Sequence, residues 1–133
     1  MRRPVAVLGV LAALGSAGGA LASRQATQVS LAEKEFKITA STTSAKAGTI
    51  TFTVRNAGHL DHEFIVDRTS VAASKLKQKG QFAVVTGSVG KIPPFKPGKT
   101  KTLTVKLAPG HYVLLCNVAA HYAAGQRLDF TVR

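Results

Sequence analysis

The chain predicts an all-β sandwich, on three observations. Thr49–Val54, Lys101–Leu107 and Arg127–Val132 each alternate apolar and polar side chains with period two. Ala47-Gly48, Pro97-Gly98 and Pro109-Gly110 place turn residues immediately before β-rich runs. Helical periodicity is nearly absent. Short strands at close spacing with turn punctuation are the pattern of two packed sheets.

The elements follow in order. Residues 1–22 read as a secretory signal: Arg2 and Arg3, an apolar stretch from Val5 to Leu14, then a small-x-small site at Ala20-Leu21-Ala22. Cleavage after Ala22 leaves residues 23–133 as one domain. The rival reading is an uncleaved anchor, for which this glycine-rich stretch is borderline in length. Two arginines are too little to assign a twin-arginine route. Val29–Leu31 and Phe36–Ala40 predict one strand region interrupted by a charged turn. Thr49–Val54 is the next strand. Phe64–Val66 and Tyr112–Cys116 are shorter and more apolar, as central strands are. Residues 67–92 break the pattern, and Val71–Lys79 is polar enough for one helical turn or a loop. Lys101–Leu107 and Arg127–Val132 complete the set.

Charge narrows the function classes. The sequence carries 18 Lys and Arg against six Asp and Glu, a formal net charge of +12. Removing residues 1–22 takes away two arginines and no acid, leaving +10. Such a field steers acidic partners. The lysines are spread over strands and turns and are not gathered with aromatics on one element, so nucleic acid is a poor fit. No apolar segment long enough to span a membrane recurs after residue 22, so no stable insertion is expected once the signal is cleaved.

Chemistry concentrates at the single cysteine. Residues 110–126 read G-H-Y-V-L-L-C-N-V-A-A-H-Y-A-A-G-Q, with Cys116 closing an apolar run and His121 five residues later. His62 opens the distant run H-E-F-I-V. One thiolate and two imidazoles are the equatorial set of a blue-copper site, since soft sulfur favours Cu(I) and imidazole suits both oxidation states. The weak axial position falls to Gln126, because the only methionine is Met1. An amide oxygen is harder than a thioether and should favour Cu(II), lowering the potential. A lone buried cysteine is otherwise an inert small apolar residue, and the neighbouring histidine moves the reading toward a ligand. His59 stands farther from its strand than His62. His111 follows a turn glycine and should face solvent. Asn117 should hydrogen-bond locally within the loop.

These residues resemble the cupredoxins, the small blue copper proteins, in their plastocyanin/azurin-like and sulfocyanin-like branches. The likeness runs from about Val29 to Arg133. It is carried by Pro109-Gly110, the apolar Tyr112–Leu115, Cys116-Asn117, His121-Tyr122, Gly125-Gln126, His62-Glu63-Phe64 and Asn56-Ala57-Gly58. The resemblance implies a Greek-key β-sandwich of seven to eight strands with one copper ion at one end. It implies that His62, Cys116 and His121 bind the metal. Gln126 departs from the family's methionine.

The leading expectation is therefore a monomeric, extracytoplasmic type 1 copper protein, in the periplasm or beyond. It would pass single electrons to a transient acidic redox protein and would not be an enzyme. His121 should offer its ring edge at the surface, within an apron of Ala119, Ala120, Tyr122, Ala123 and Ala124. A copper-carrying module without electron transfer, and a metal-free interaction sandwich, are the alternatives.

Overall fold

The computed structural model describes Gly19 and residues 24–133, so the expected signal lies almost wholly outside the described residues. Eleven strands are described. They are β1 (Thr27–Lys34), β2 (Lys37–Ala40), β3 (Ser44–Ala45), β4 (Gly48–Asn56), β5 (His62–Arg68), β6 (Gln78–Lys79), β7 (Phe82–Ala83), β8 (Ser88–Phe95), β9 (Thr100–Leu107), β10 (Gly110–Leu115) and β11 (Arg127–Val132). A 3₁₀ turn spans Ala73–Lys75, and one short helix, α1, spans His121–Ala124.

Two sheets face each other. One has the order β2-β1-β4-β9, the other β3-β11-β10-β5-β8, and β6 pairs with β7 as a separate ribbon. The class is the expected all-β sandwich. The two sheets hold nine strands, more than the expected seven to eight, because β3 and β8 carry no alternating apolar signal. β8 contains Pro93 and Pro94, which remove two ladder donors and suit the edge that it occupies. The first region divides into a hairpin: β1 and β2 pair antiparallel, with Lys34 opposite Lys37. β1 also pairs parallel to β4.

Period-two alternation places Ile50, Phe52 and Val54 inside, where they meet Val29, Leu31, Phe64, Val66, Leu114 and Phe130. Phe52 sits at the middle of an aromatic trio, with ring centroids 5.5 Å from Phe64 and 5.6 Å from Phe130. The second sheet is covered on its outer face as well. Ile65, Val113 and Leu115 point outward into a smaller cluster with Ala73, Leu76, Ala83 and Tyr122. Burial on both faces is why Phe64–Val66 and Tyr112–Leu115 are continuously apolar. The polar segment 67–92 supplies that cover, so the expected loop or single helical turn is a lid on the sheet.

Gly98 closes the turn between β8 and β9 at φ +79, a conformation that side chains other than glycine's resist, and donates its N–H to Asn56 O at 2.8 Å. Asn56 is completely buried. Its amide donates to Leu60 O at 2.8 Å and Phe95 O at 3.0 Å and accepts from Gly58 N–H at 3.0 Å. The loop that leads into β5 is thereby stitched at one end of the sandwich.

Candidate metal centre

His62 is the first residue of β5, and Cys116 follows the last residue of β10. β5 and β10 are antiparallel neighbours in register Leu115↔Ile65, so the start of one lies beside the end of the other. β10 and β11 continue their pairing past Leu115↔Arg127 through Cys116 N–H to Gln126 O, 3.1 Å. Gln126 is therefore held opposite Cys116 by the ladder itself. The nine residues between them form a closed loop: His121 N–H reaches Val118 O at 2.9 Å and Gln126 N–H reaches His121 O at 3.1 Å. Gly125, at φ +121, ends α1 and turns the chain back; a Cβ there would lie 3.2 Å from Phe36 O.

The side chains converge. His62 Nδ1 is 3.2 Å from His121 Nδ1. Cys116 Sγ is 3.4 Å from His121 Nδ1 and 3.9 Å from His62 Nδ1. Gln126 Nε2 lies 2.8 Å from His62 Nδ1, and its Oε1 is buried with no partner among the described residues. His62, Cys116 and Gln126 are fully buried and His121 is 5% exposed.

Protonation follows from burial. Desolvation pushes the Cys116 thiol up to about 12, against the weaker pull of the Glu63 N–H, which donates to Sγ at 3.3 Å. Both histidines are shifted down by burial, His121 further by its neighbour His62. At neutral pH the cluster holds one thiol and two neutral imidazoles.

This geometry fits a first-row metal ion. Bonds of about 2.1 Å to nitrogen and about 2.3 Å to sulfur, the zinc values, spread over a trigonal plane, separate the donor atoms by about 3.5–3.8 Å. The three observed separations bracket that range. The unpartnered Gln126 oxygen is a further donor beside them, since an amide turns readily to exchange its oxygen and nitrogen. His62, Cys116 and His121 form a candidate copper site.

No protein-family profile and no curated protein matches the sequence. Solved structures do match. Dithionite-reduced auracyanin from Roseiflexus castenholzii superposes with TM-score 0.62 at 23% identity, over 81% of this chain and 98% of that one. Auracyanin A, a blue copper protein from Chloroflexus aurantiacus, gives 0.61 at 17%, over 82% and 100%. A rusticyanin mutant with glutamine in place of a methionine gives 0.58 at 16%, over 82% and 80%. This chain has the cupredoxin fold.

On that cupredoxin frame the structure corrects four sequence expectations about the surroundings of the site. Tyr122 is 1% exposed and belongs to no apron. Its hydroxyl donates to Ala73 O and accepts from Leu76 N–H, because α1 rotates it inward over the second sheet. His121 offers little ring edge, since Phe36 packs edge-on against it at 5.0 Å between centroids. Asn117 bonds both its amide ends to the backbone of Ala83, 34 residues away, and so ties the loop to β7. His111 is half-buried, between Thr69 O at 2.6 Å and Asp129 Oδ1 at 2.8 Å. His59 stays outside the cluster as expected.

Sequence reasoning missed Glu33, Glu35 and Phe36. All three lie in or beside the β1–β2 hairpin, which touches the site from the opposite sheet. Glu35 Oε1 accepts from His62 Nε2 at 3.0 Å and from the N–H groups of His59 and Leu60, each at 2.8 Å. Partial desolvation opposes its ionisation, but these bonds prevail and hold the carboxyl at about 2. The one sequence signal was two acids, Glu33 and Glu35, flanking a turn in a chain with only six.

Proposed function

We propose that this protein is an exported one-electron carrier built on a single type 1 copper ion. The observation that carries this reading is the buried convergence of two imidazole Nδ1 atoms and one thiol sulfur, all within 4.8 Å of one another. Nδ1 of His62, Nδ1 of His121 and Sγ of Cys116 would hold the ion, and Gln126 would offer a further, weaker donor beside them. Copper held by one thiolate and two imidazoles supplies a one-electron couple whose two states share nearly one geometry.

The chain's residues do the rest. Strands from one sheet fix three of the donors, so little reorganisation accompanies a change of charge. Burial keeps water away from the cluster. The same burial argues against the metal-delivery alternative, in which donors must be reached and released readily. An unpartnered Gln126 amide oxygen buried beside two imidazoles and a thiol argues against the metal-free alternative, because burying such a group without a partner is costly. Four donor groups leave no position for a substrate, so the reading assigns no enzymatic activity.

The proposed docking face surrounds the covered His121. Phe36, Leu60 and Phe82 are 40%, 48% and 49% exposed, and Ala119, Ala120, Ala123 and Ala124 are exposed beside them. Exposed Lys34 and Lys37 flank Phe36, and Lys79 lies on the ribbon that carries Phe82. This combination suits a transient acidic protein partner and a monomeric carrier. Periplasmic or other extracytoplasmic placement is inferred from the signal-like N-terminus. Among the described residues no helix is long and apolar enough to cross a membrane.

The test is to add one equivalent of Cu(II) and record visible and EPR spectra. The expected result is an intense thiolate-to-copper band with narrow copper hyperfine splitting. A pale spectrum of surface-bound Cu(II) would sink the reading.

A further inference from the structure

Glu35 lies in the turn between β1 and β2 of the opposite sheet, yet its carboxylate is bonded to the far side of a proposed ligand. One oxygen takes three N–H groups: the ring Nε2–H of His62 at 3.0 Å and the backbone N–H groups of His59 and Leu60 at 2.8 Å. The side chain is 18% exposed, while the imidazole it holds is fully buried. Gly58 makes this possible, because a Cβ at that position would collide with the Glu35 carboxylate. The loop wraps around the acid instead.

We propose that Glu35 is a positioning residue that fixes His62 in its Nε2–H tautomer and biases the site toward the oxidised metal. A carboxylate accepts and cannot donate, so the His62 proton must sit on Nε2. Nδ1 then presents its lone pair to Cys116, His121 and Gln126. The amide Nε2 of Gln126, 2.8 Å from that Nδ1, is placed to donate to the same lone pair. A carboxylate bonded to the outer nitrogen of an imidazole ligand also raises its basicity. Its negative charge, one ring away, favours the more positive oxidation state.

The inference rests on the copper reading for its redox part, and its tautomer part does not need metal. The experiment compares wild type, Glu35→Gln and Glu35→Ala. In the metal-free proteins, ¹⁵N NMR of the His62 ring reports the tautomer. Wild type and Glu35→Gln are expected to hold Nε2–H, since both keep an acceptor oxygen. Glu35→Ala is expected to mix tautomers and exchange its ring proton faster. An Nδ1–H tautomer in wild type overturns the positioning role.

With copper bound, Glu35→Gln keeps the tether and loses the charge. Its preference for Cu(II) over Cu(I) is expected to fall about tenfold or more, a rise in potential of about 59 mV for each tenfold. A Glu35→Gln potential equal to that of wild type, in a protein with the wild-type blue spectrum, overturns the bias and leaves Glu35 a loop tether. Wild type that forms no blue site overturns the functional reading and the bias together, whereas the tautomer result still decides the positioning role.

Discussion

Glu33 shows how much a single buried side chain can cost. It is fully buried on β1, and neither carboxyl oxygen has a partner among the described residues. Desolvation, helped by repulsion from Glu63, raises its pKa from 4.5 to about 9. The unfolded chain ionises near pH 4.5 and the folded chain near pH 9. Stability from this group is full below pH 4.5 and is lost as pH rises toward 9. Glu33→Gln cannot ionise, so it should converge with wild type near pH 4 and gain on it as pH rises, by roughly 3 kcal/mol at pH 7 and more toward pH 9. Urea midpoints at these pH values check this.

Cys116 gives a second prediction at the same scale. Its thiol is protonated up to about pH 12 in the metal-free fold, while both histidines are already neutral at pH 7. Uptake of one metal ion at pH 7 should therefore release one proton, all of it from Cys116. Calorimetry in buffers of different ionisation enthalpy counts it. A count of two or more would mean that a histidine starts out charged. Gln126→Met replaces a hard oxygen with a soft thioether and should raise the potential by favouring Cu(I). Voltammetry of the two proteins gives the sign directly.

At the scale of elements, the loop between β10 and β11 is held from outside as much as from within. Tyr122 plugs the cover over the second sheet, and its hydroxyl satisfies the buried Leu76 N–H at 3.0 Å. Tyr122→Phe leaves that donor unpartnered and should cost about 1–3 kcal/mol, read as a lower thermal midpoint. If the midpoint stays at that of wild type, the Ala73–Ala83 segment is not anchored through this bond. Arg127 stacks over the same ring at 5.1 Å and donates to Tyr122 O at 2.6 Å, which fixes the end of α1 to the start of β11. The β1–β2 turn plays the matching part on the other side, with Glu35 on His62 and Phe36 on His121.

Across the whole molecule, charge and shape act together. Acids near the proposed docking end are engaged: Asp61 pairs with Lys96 at 2.9 Å, Glu63 with Lys91 at 2.9 Å, and Glu35 holds His62. Among the described residues most of the lysine charge faces water without an acidic partner and sets the long-range field. Electron exchange with an acidic partner should slow as ionic strength rises from 10 to 200 mM, because the Debye length shrinks from about 30 Å to below about 10 Å. Stopped-flow rates independent of salt would remove the steering role.

The sequence by itself determined the sandwich class, the central strands and the four candidate donor residues that the fold brings together. Period-two alternation and turn glycines act locally, and Cys116 is the only cysteine, with His121 five residues after it, Gln126 five after that and His62 opening a distant apolar run, so spacing along the chain marks them. Tertiary structure alone decided what surrounds them. Glu33, Glu35 and Phe36 reach the site only because β1 pairs parallel to β4 and brings its hairpin over the end of the other sheet. Tyr122 leaves the surface because residues 67–92 fold back as a cover. No local pattern encodes those approaches, since they depend on side chains separated by 27 to 85 positions along the chain (Glu35 from His62, Phe36 from His121).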